Sequence, residues 1–305
     1  MRFSIVVCGV LALVVAAFAS DLTGRPDEDP PILALSANRS GGFQLVSVDA
    51  RGANLVRLGQ DPPGATWPTW SPDGKRIAFT ALREGVSQVL AMDVGGSEAA
   101  NLTNTSNHEH QATWSPDGKK IAFTSERTGN HEIFVMNPDG TDPVNLTNDP
   151  GFDGDPAWSP DSKQIAFASN RSGAFRLFVM DADGSNPRDM LGRNLGGWLN
   201  PAWSPDGKQV LYSAGLKDGS MQLFVVNANG QGAEQITSES GWNSFSAWSP
   251  DNRYIAYVHF DKLPSQSSEG GRLMIMDLET GTRTEVAPDG MRCSGARPAW
   301  KPMKR

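Results

Sequence analysis

Three of the four histidines lie close together in the chain, and a glutamate stands between two of them: His108, Glu109, His110 and His131. Imidazole and carboxylate are ligands for a divalent metal, so this group is a candidate cofactor site. The spacing limits the idea. His108 and His110 would share a face on a strand, but in a loop a two-residue separation fixes no geometry, and solvated loop histidines explain the pattern as well. Asp181 to Gly184 opens like a calcium loop, yet Gly192 stands where the loop needs its glutamate. An aspartate turn bonded to its own backbone accounts for that motif better. No Gly-x-Ser-x-Gly elbow is present, and nothing marks a catalytic residue.

A second set of residues is defined by position. Three places before each recurring tryptophan stand Trp67, Gln111, Asp155, Asn200, Phe245 and Arg297. The structural positions of the repeat, such as the tryptophan and the turn after it, are nearly identical between copies, whereas these six are all different. Small residues directly before the tryptophan, such as Thr69, Thr113 and Ala157, leave room beside them. The set reads as a chemically shaped ring, or as drift at positions that bind nothing. Trp198 and Trp242 fall in nearby linkers and add aromatic area of the kind used at interfaces.

The elements that must hold both sets come from the repeat. Trp-Ser-Pro-Asp-Gly or a close variant begins at Trp70, Trp114, Trp158, Trp203 and Trp248, and a degenerate copy at Trp300 follows; the intervals are 44, 44, 45, 45 and 52 residues. A period near 45 residues with four short strand patterns per copy is the signature of a β-propeller. The tryptophan strand leads into a Ser-Pro-Asp-Gly turn, in which proline presets φ and glycine suits the later position. An apolar strand such as Ile121-Ala122-Phe123 follows, then an alternating one such as Ile133 to Met136. An Asn-Leu-Thr strand, as at Asn145, ends the copy. Residues 32–49 align without gaps on 120–137, but Pro26 stands where their tryptophan belongs. The missing strand is supplied by Pro298-Ala299-Trp300. The expected fold is therefore all-β: a six-bladed propeller of four-stranded antiparallel blades over 32–302, with the first blade closed by both chain ends. Such closure removes the open sheet edge.

Pro-x-Trp-Ser-Pro-Asp-Gly-Lys-x-Ile-Ala-Phe, then Ser-x-Arg-x-Gly and Phe-Val-Met-x-x-Asp-Gly, resembles the TolB-type propeller family. Residues Lys119 to Phe123, Ser125 to Gly129 and Phe134 to Gly140 carry the likeness. The resemblance implies a propeller that docks a partner lipoprotein or other envelope protein at its channel mouth. The α/β domain that precedes the TolB propeller has no counterpart between the leader and the first blade. Similar repeats occur in oligogalacturonate lyases, whose histidine-rich metal site gives the alternative: a metal-dependent enzyme acting on an acidic carbohydrate or lactone. That family resembles a seven-bladed ring, and six repeats are counted here. A small-ligand sensor is a third reading. Arg39, Arg83, Arg127 and Arg171 repeat and could form a binding ring; their place in a turn before glycine reads better as loop bracing.

Composition sets the remaining bounds. Arg2, an apolar run from Phe3 to Phe18 and the small residues around Ala17 and Ala19 read as a secretory signal over residues 1–19, with a short linker expected at 20–31. Its apolar run is short for a spanning helix, so no membrane insertion is expected after cleavage. Removing Arg2 leaves 26 basic against 34 acidic residues, a formal charge of −8, which excludes nucleic acid as a natural partner. Cys293 is the one mature cysteine, so stability must come from packing. The reading is a monomeric, non-enzymatic binding protein of the periplasm or the extracellular space.

Overall fold

The computed structural model describes residues 31–39, 42–59, 64–96, 98–197, 199–263, 270–286, 291–293 and 297–303. The expected signal and residues 20–30 of the expected linker lie outside these residues, as does Trp198. Among the described residues, no helix is long and apolar enough to cross a membrane.

The repeat folds as its turn chemistry and alternation require. In the copy of Trp114, Glu109–Trp114, Ile121–Ser125, Glu132–Met136 and Val144–Asn145 form one antiparallel sheet in sequential order. The tryptophan strand is at one edge and the two-residue strand at the other. The copies beginning at Thr66–Trp70 and Asp153–Trp158 build sheets of the same order. Those containing Ala202–Trp203 and Trp242–Trp248 do the same but join into one eight-stranded sheet through a single parallel bridge, Met221 to Trp242. The architecture is all-β and propeller-like.

The first sheet contains both chain ends, as expected. Ile32–Arg39 pairs with Gly42–Asp49 on one side and with Ala299–Trp300 on the other, with Leu33 opposite Trp300; Arg292–Cys293 pairs further along that same edge, opposite Ala37 and Asn38, so this sheet has five strands where four were expected. Trp300 donates its indole N–H to the Ala247 carbonyl at 3.2 Å, and Trp70 donates to the Ala299 carbonyl at 3.1 Å. The last strand is thus clasped by the sheets on both sides.

Each Ser-Pro-Asp turn is closed by its own side chains. Ser159 Oγ donates to Asp161 Oδ1 at 2.6 Å and accepts the Gln164 amide at 2.9 Å; Ser71, Ser115 and Ser204 repeat the pattern. Those bonds favour the ionised aspartate and hold Asp73, Asp117, Asp161 and Asp206 below the usual carboxylate range. The Asp181 motif is a turn of the same kind: Asn186 donates to Asp181 Oδ2 at 2.7 Å. Within it, Gly184 has φ +87°, and a Cβ there would sit 2.6 Å from the Leu146 carbonyl of the preceding sheet. Only glycine lets the sheets approach so closely.

The core is a series of layers between consecutive sheets. Ala78, Val89 and Ala91 of one sheet pack on Trp114, Ile121 and Phe123 of the next, and Ala122, Ile133 and Val135 pack on Trp158, Ile165 and Phe167. Each tryptophan therefore fills the seam to the preceding sheet. Burying an indole of this size contributes roughly 4–6 kcal/mol before chain entropy is counted.

Candidate functional site

The residues three places before each tryptophan share a backbone feature. Trp67, Gln111, Asp155, Asn200 and Phe245 have φ between 44° and 58°, in the left-handed region. Four of them sit where the register skips a residue: between Thr66 and Thr69, His110 and Thr113, Gly154 and Ala157, and Ser244 and Ala247. These are β-bulges, which re-aim a side chain and interrupt the ladder. A left-handed backbone is costly for side chains as large as tryptophan and phenylalanine, on the order of 1–3 kcal/mol each. The fold meets that cost in five successive copies.

The bulges divide the axis of the molecule into two cavities. On the side of the Ser-Pro-Asp turns lies a cavity of about 220 Å³, bounded by Trp67, Gln111, Asp155 and Arg297 and walled by the repeat tryptophans. On the other side a mouth of about 510 Å³ is lined by Trp67, His110, Gln111, His131, Phe152, Trp242 and Phe245. Trp67 and Gln111 border both, so the ring forms a septum between them.

The septum is half polar and half aromatic. Gln111 donates its side-chain amide to Asp155 Oδ1 and accepts from Thr124 Oγ1 at 2.9 Å. Asp155 is 3% exposed, and burial pushes its carboxyl up to about 6, against the pull of the Arg297 guanidinium and the Asn200 backbone amide. Burial also draws Arg297 down, with Asp155 opposing it. Asn200 is fully buried, and among the described residues neither atom of its amide has a hydrogen-bond partner, nor does Arg297 Nε. Opposite them, Trp67 and Phe245 meet edge to face at 5.6 Å, and Phe245 continues to Phe260 at 6.3 Å. Trp242 packs partly buried at the rim and donates its N–H to the Gly219 carbonyl at 3.1 Å.

The histidine group is rearranged relative to the sequence expectation. Glu109 is fully buried and held by Arg127, 3.2 Å away, and by Thr105 Oγ1 at 2.8 Å. Its carboxylate is a loop brace and faces away from the histidines' ligand atoms. Arg127 lies over Phe123 and Phe134, and Arg171 with Asp153 at 2.8 Å repeats the device one sheet on. His108 Nδ1 accepts the Ser87 amide at 3.2 Å, which leaves it outside the group. His110 and His131 do come together, with ring centroids 5.5 Å apart, and the acid beside them is Glu126, 3.1 Å from His131 Nε2. Burial, with His131 and His108 adding to it, lowers the His110 imidazole to about 4. His259 is bonded to Asn243 at 2.8 Å and takes no part. Cys293 is 1% exposed and its thiol is pushed up to about 12 by burial, so it is placed as a core residue.

Sequence reasoning missed Glu126 and Phe152. Both had a signal. Glu126 precedes the repeated arginine, where the flanking copies have Leu82 and Asn170; Phe152 lies six places before its tryptophan, as Trp242 does.

Successive antiparallel sheets built on a four-strand repeat, with a five-stranded first sheet closed by the C-terminal strand, define a propeller-like fold. Residues 23–125 and 103–194 match the PD40 family, described as the TolB beta propeller domain, and together they span more than half of the chain. The chain belongs to that family. No curated protein matches it in sequence. Among solved structures it is similar to TolB from Acinetobacter baumannii, with a TM-score of 0.74 and 23% identity over 95% of this chain and 71% of that one. A putative TolB from Agrobacterium tumefaciens aligns with a TM-score of 0.68 and 22% identity, covering 84% of this chain and 87% of that one. An oligogalacturonate lyase in complex with manganese aligns more weakly, at a TM-score of 0.51 and 15% identity over 84% of this chain and 72% of that one.

Proposed function

We propose that the chain is a non-enzymatic binding propeller of the periplasm or extracellular space, whose wide channel mouth docks an envelope protein or lipoprotein. The observation that carries this reading is the bulge ring itself. The backbone cost is repeated in every copy where φ is described, yet the side chains presented at that cost all differ. A purely structural position would converge on one residue, as the tryptophans do. The mouth adds Trp242, Phe152 and Phe245, aromatic area of the type that anchors protein interfaces. Six repeats, with one sheet double, support a six-bladed ring.

The site is tested by pull-down from an envelope extract with Trp67→Ala and Trp242→Ala, each first shown to be folded. Loss of the same partner in both is expected. Recovery of every partner by both variants would exclude this surface.

A further inference from the structure

His110, Glu126 and His131 come from three separate segments of one sheet. His110 lies on the inner strand opposite Thr124, Glu126 directly follows Ile121–Ser125, and His131 directly precedes Glu132–Met136. One ligand atom from each lies within 4.8 Å of the other two. All three side chains are partly buried, and both histidines line the 510 Å³ mouth. The His131 ring is fixed against Phe152 at 4.7 Å. The His110 imidazole makes no hydrogen bond among the described residues, although it lies beside a second imidazole and near a carboxylate.

The repeat provides an internal control. Positions equivalent to His110 in the flanking copies are Thr66 and Gly154, those for Glu126 are Leu82 and Asn170, and those for His131 are Ser87 and Phe175. The fold therefore requires no ligand-type residue at any of the three places. Only this copy has one at all of them.

We propose that His110, Glu126 and His131 bind one divalent transition-metal ion of the zinc or manganese class on the wall of the channel mouth. Two imidazoles and one carboxylate suit such ions, and three protein ligands leave coordination positions open to the cavity. Zinc–ligand bonds of about 2.0–2.1 Å place tetrahedral ligand atoms roughly 3.3 Å apart. His131 and Glu126 are already at 3.1 Å, so the remaining adjustment is a side-chain rotation that brings His110 closer.

The test is calorimetric titration of the chelator-stripped chain with zinc chloride and, separately, manganese chloride. One ion per chain is expected, abolished in His110→Ala and His131→Ala and weakened at least tenfold in Glu126→Gln. His108→Ala should bind as the parent does, because His108 serves only the Ser87 amide. Thermal unfolding shows whether the histidine variants fold; where one does not, the near-isosteric Glu126→Gln decides. Absence of a stoichiometric ion in the parent, or undiminished binding in Glu126→Gln, overturns the assignment. Loss in His108→Ala alone would move the site into the loop and overturn it equally.

Discussion

Two layers of the propeller lie three residues apart on the same strands and behave oppositely. The tryptophan layer is uniform, packed in the seams between sheets and, in the five copies that carry the Ser-Pro-Asp turn, followed by a serine and an aspartate that bond each other. The bulge layer is uniform in backbone and varied in side chain, from the carboxyl of Asp155 to the ring of Phe245. The contrast separates two kinds of constraint. Repeated side chains mark positions where each copy must meet its neighbour in the same way. A repeated backbone with changing side chains marks positions where the fold offers a place and the chemistry is chosen copy by copy.

If this division holds, damage to the tryptophan layer should be felt in stability. The largest effect is expected from removing residues 297–305, which opens the first sheet and exposes the edge of Ile32–Arg39. Aggregation on size-exclusion chromatography is the outcome expected; a monomer with unchanged Tm would refute closure by the C-terminal strand. Next is Trp158→Ala, which leaves a cavity in the seam with Ile165 and Phe167 and should cost about 3–5 kcal/mol in denaturant unfolding. A cost below about 1 kcal/mol would remove the tryptophans from their structural role.

The septum should be felt in pH dependence. The Asp155 carboxyl is raised to about 6 in the fold from 3.8, so its contribution to stability is fully present below pH about 4 and lost as pH rises through about 6. Stability measured as parent minus Asp155→Asn should therefore fall by on the order of 2 kcal/mol between pH 4 and 7. Taking the difference cancels Asp153, which burial also raises to about 6. A flat difference would mean that Asp155 is solvated. The smallest effect is expected at the turns, where Ser159→Ala should cost about 1 kcal/mol through the lost bonds to Asp161 and Gln164. A loss equal to that of Trp158→Ala would break the ranking.

Most of the fold was legible in the sequence because its determinants are local and repeated. Proline, aspartate and glycine set the turns, the strands alternate, and the gapless match of residues 32–49 to 120–137 showed where the ends must meet. The ring of six positions was legible as a register. Its left-handed backbone was not, because a bulge depends on φ, and neither tryptophan nor phenylalanine signals a positive value. The histidine group was half legible. Adjacency in sequence suggested Glu109, but that residue turns to Arg127, while Glu126 arrives from the next loop through strand pairing. The loop residues 264–269 and Trp198 fall outside the described part of the chain.

The central claim is that the bulge layer and its mouth carry binding while the tryptophan layer carries the fold. The most direct measurement quantifies, by immunoprecipitation from native envelope, the partner crosslinked to folded Trp67→Ala, Trp242→Ala and Ser159→Ala. The account expects the two mouth variants to lose that partner and the turn variant to retain it at the parental level. Equal recovery across all three would contradict it.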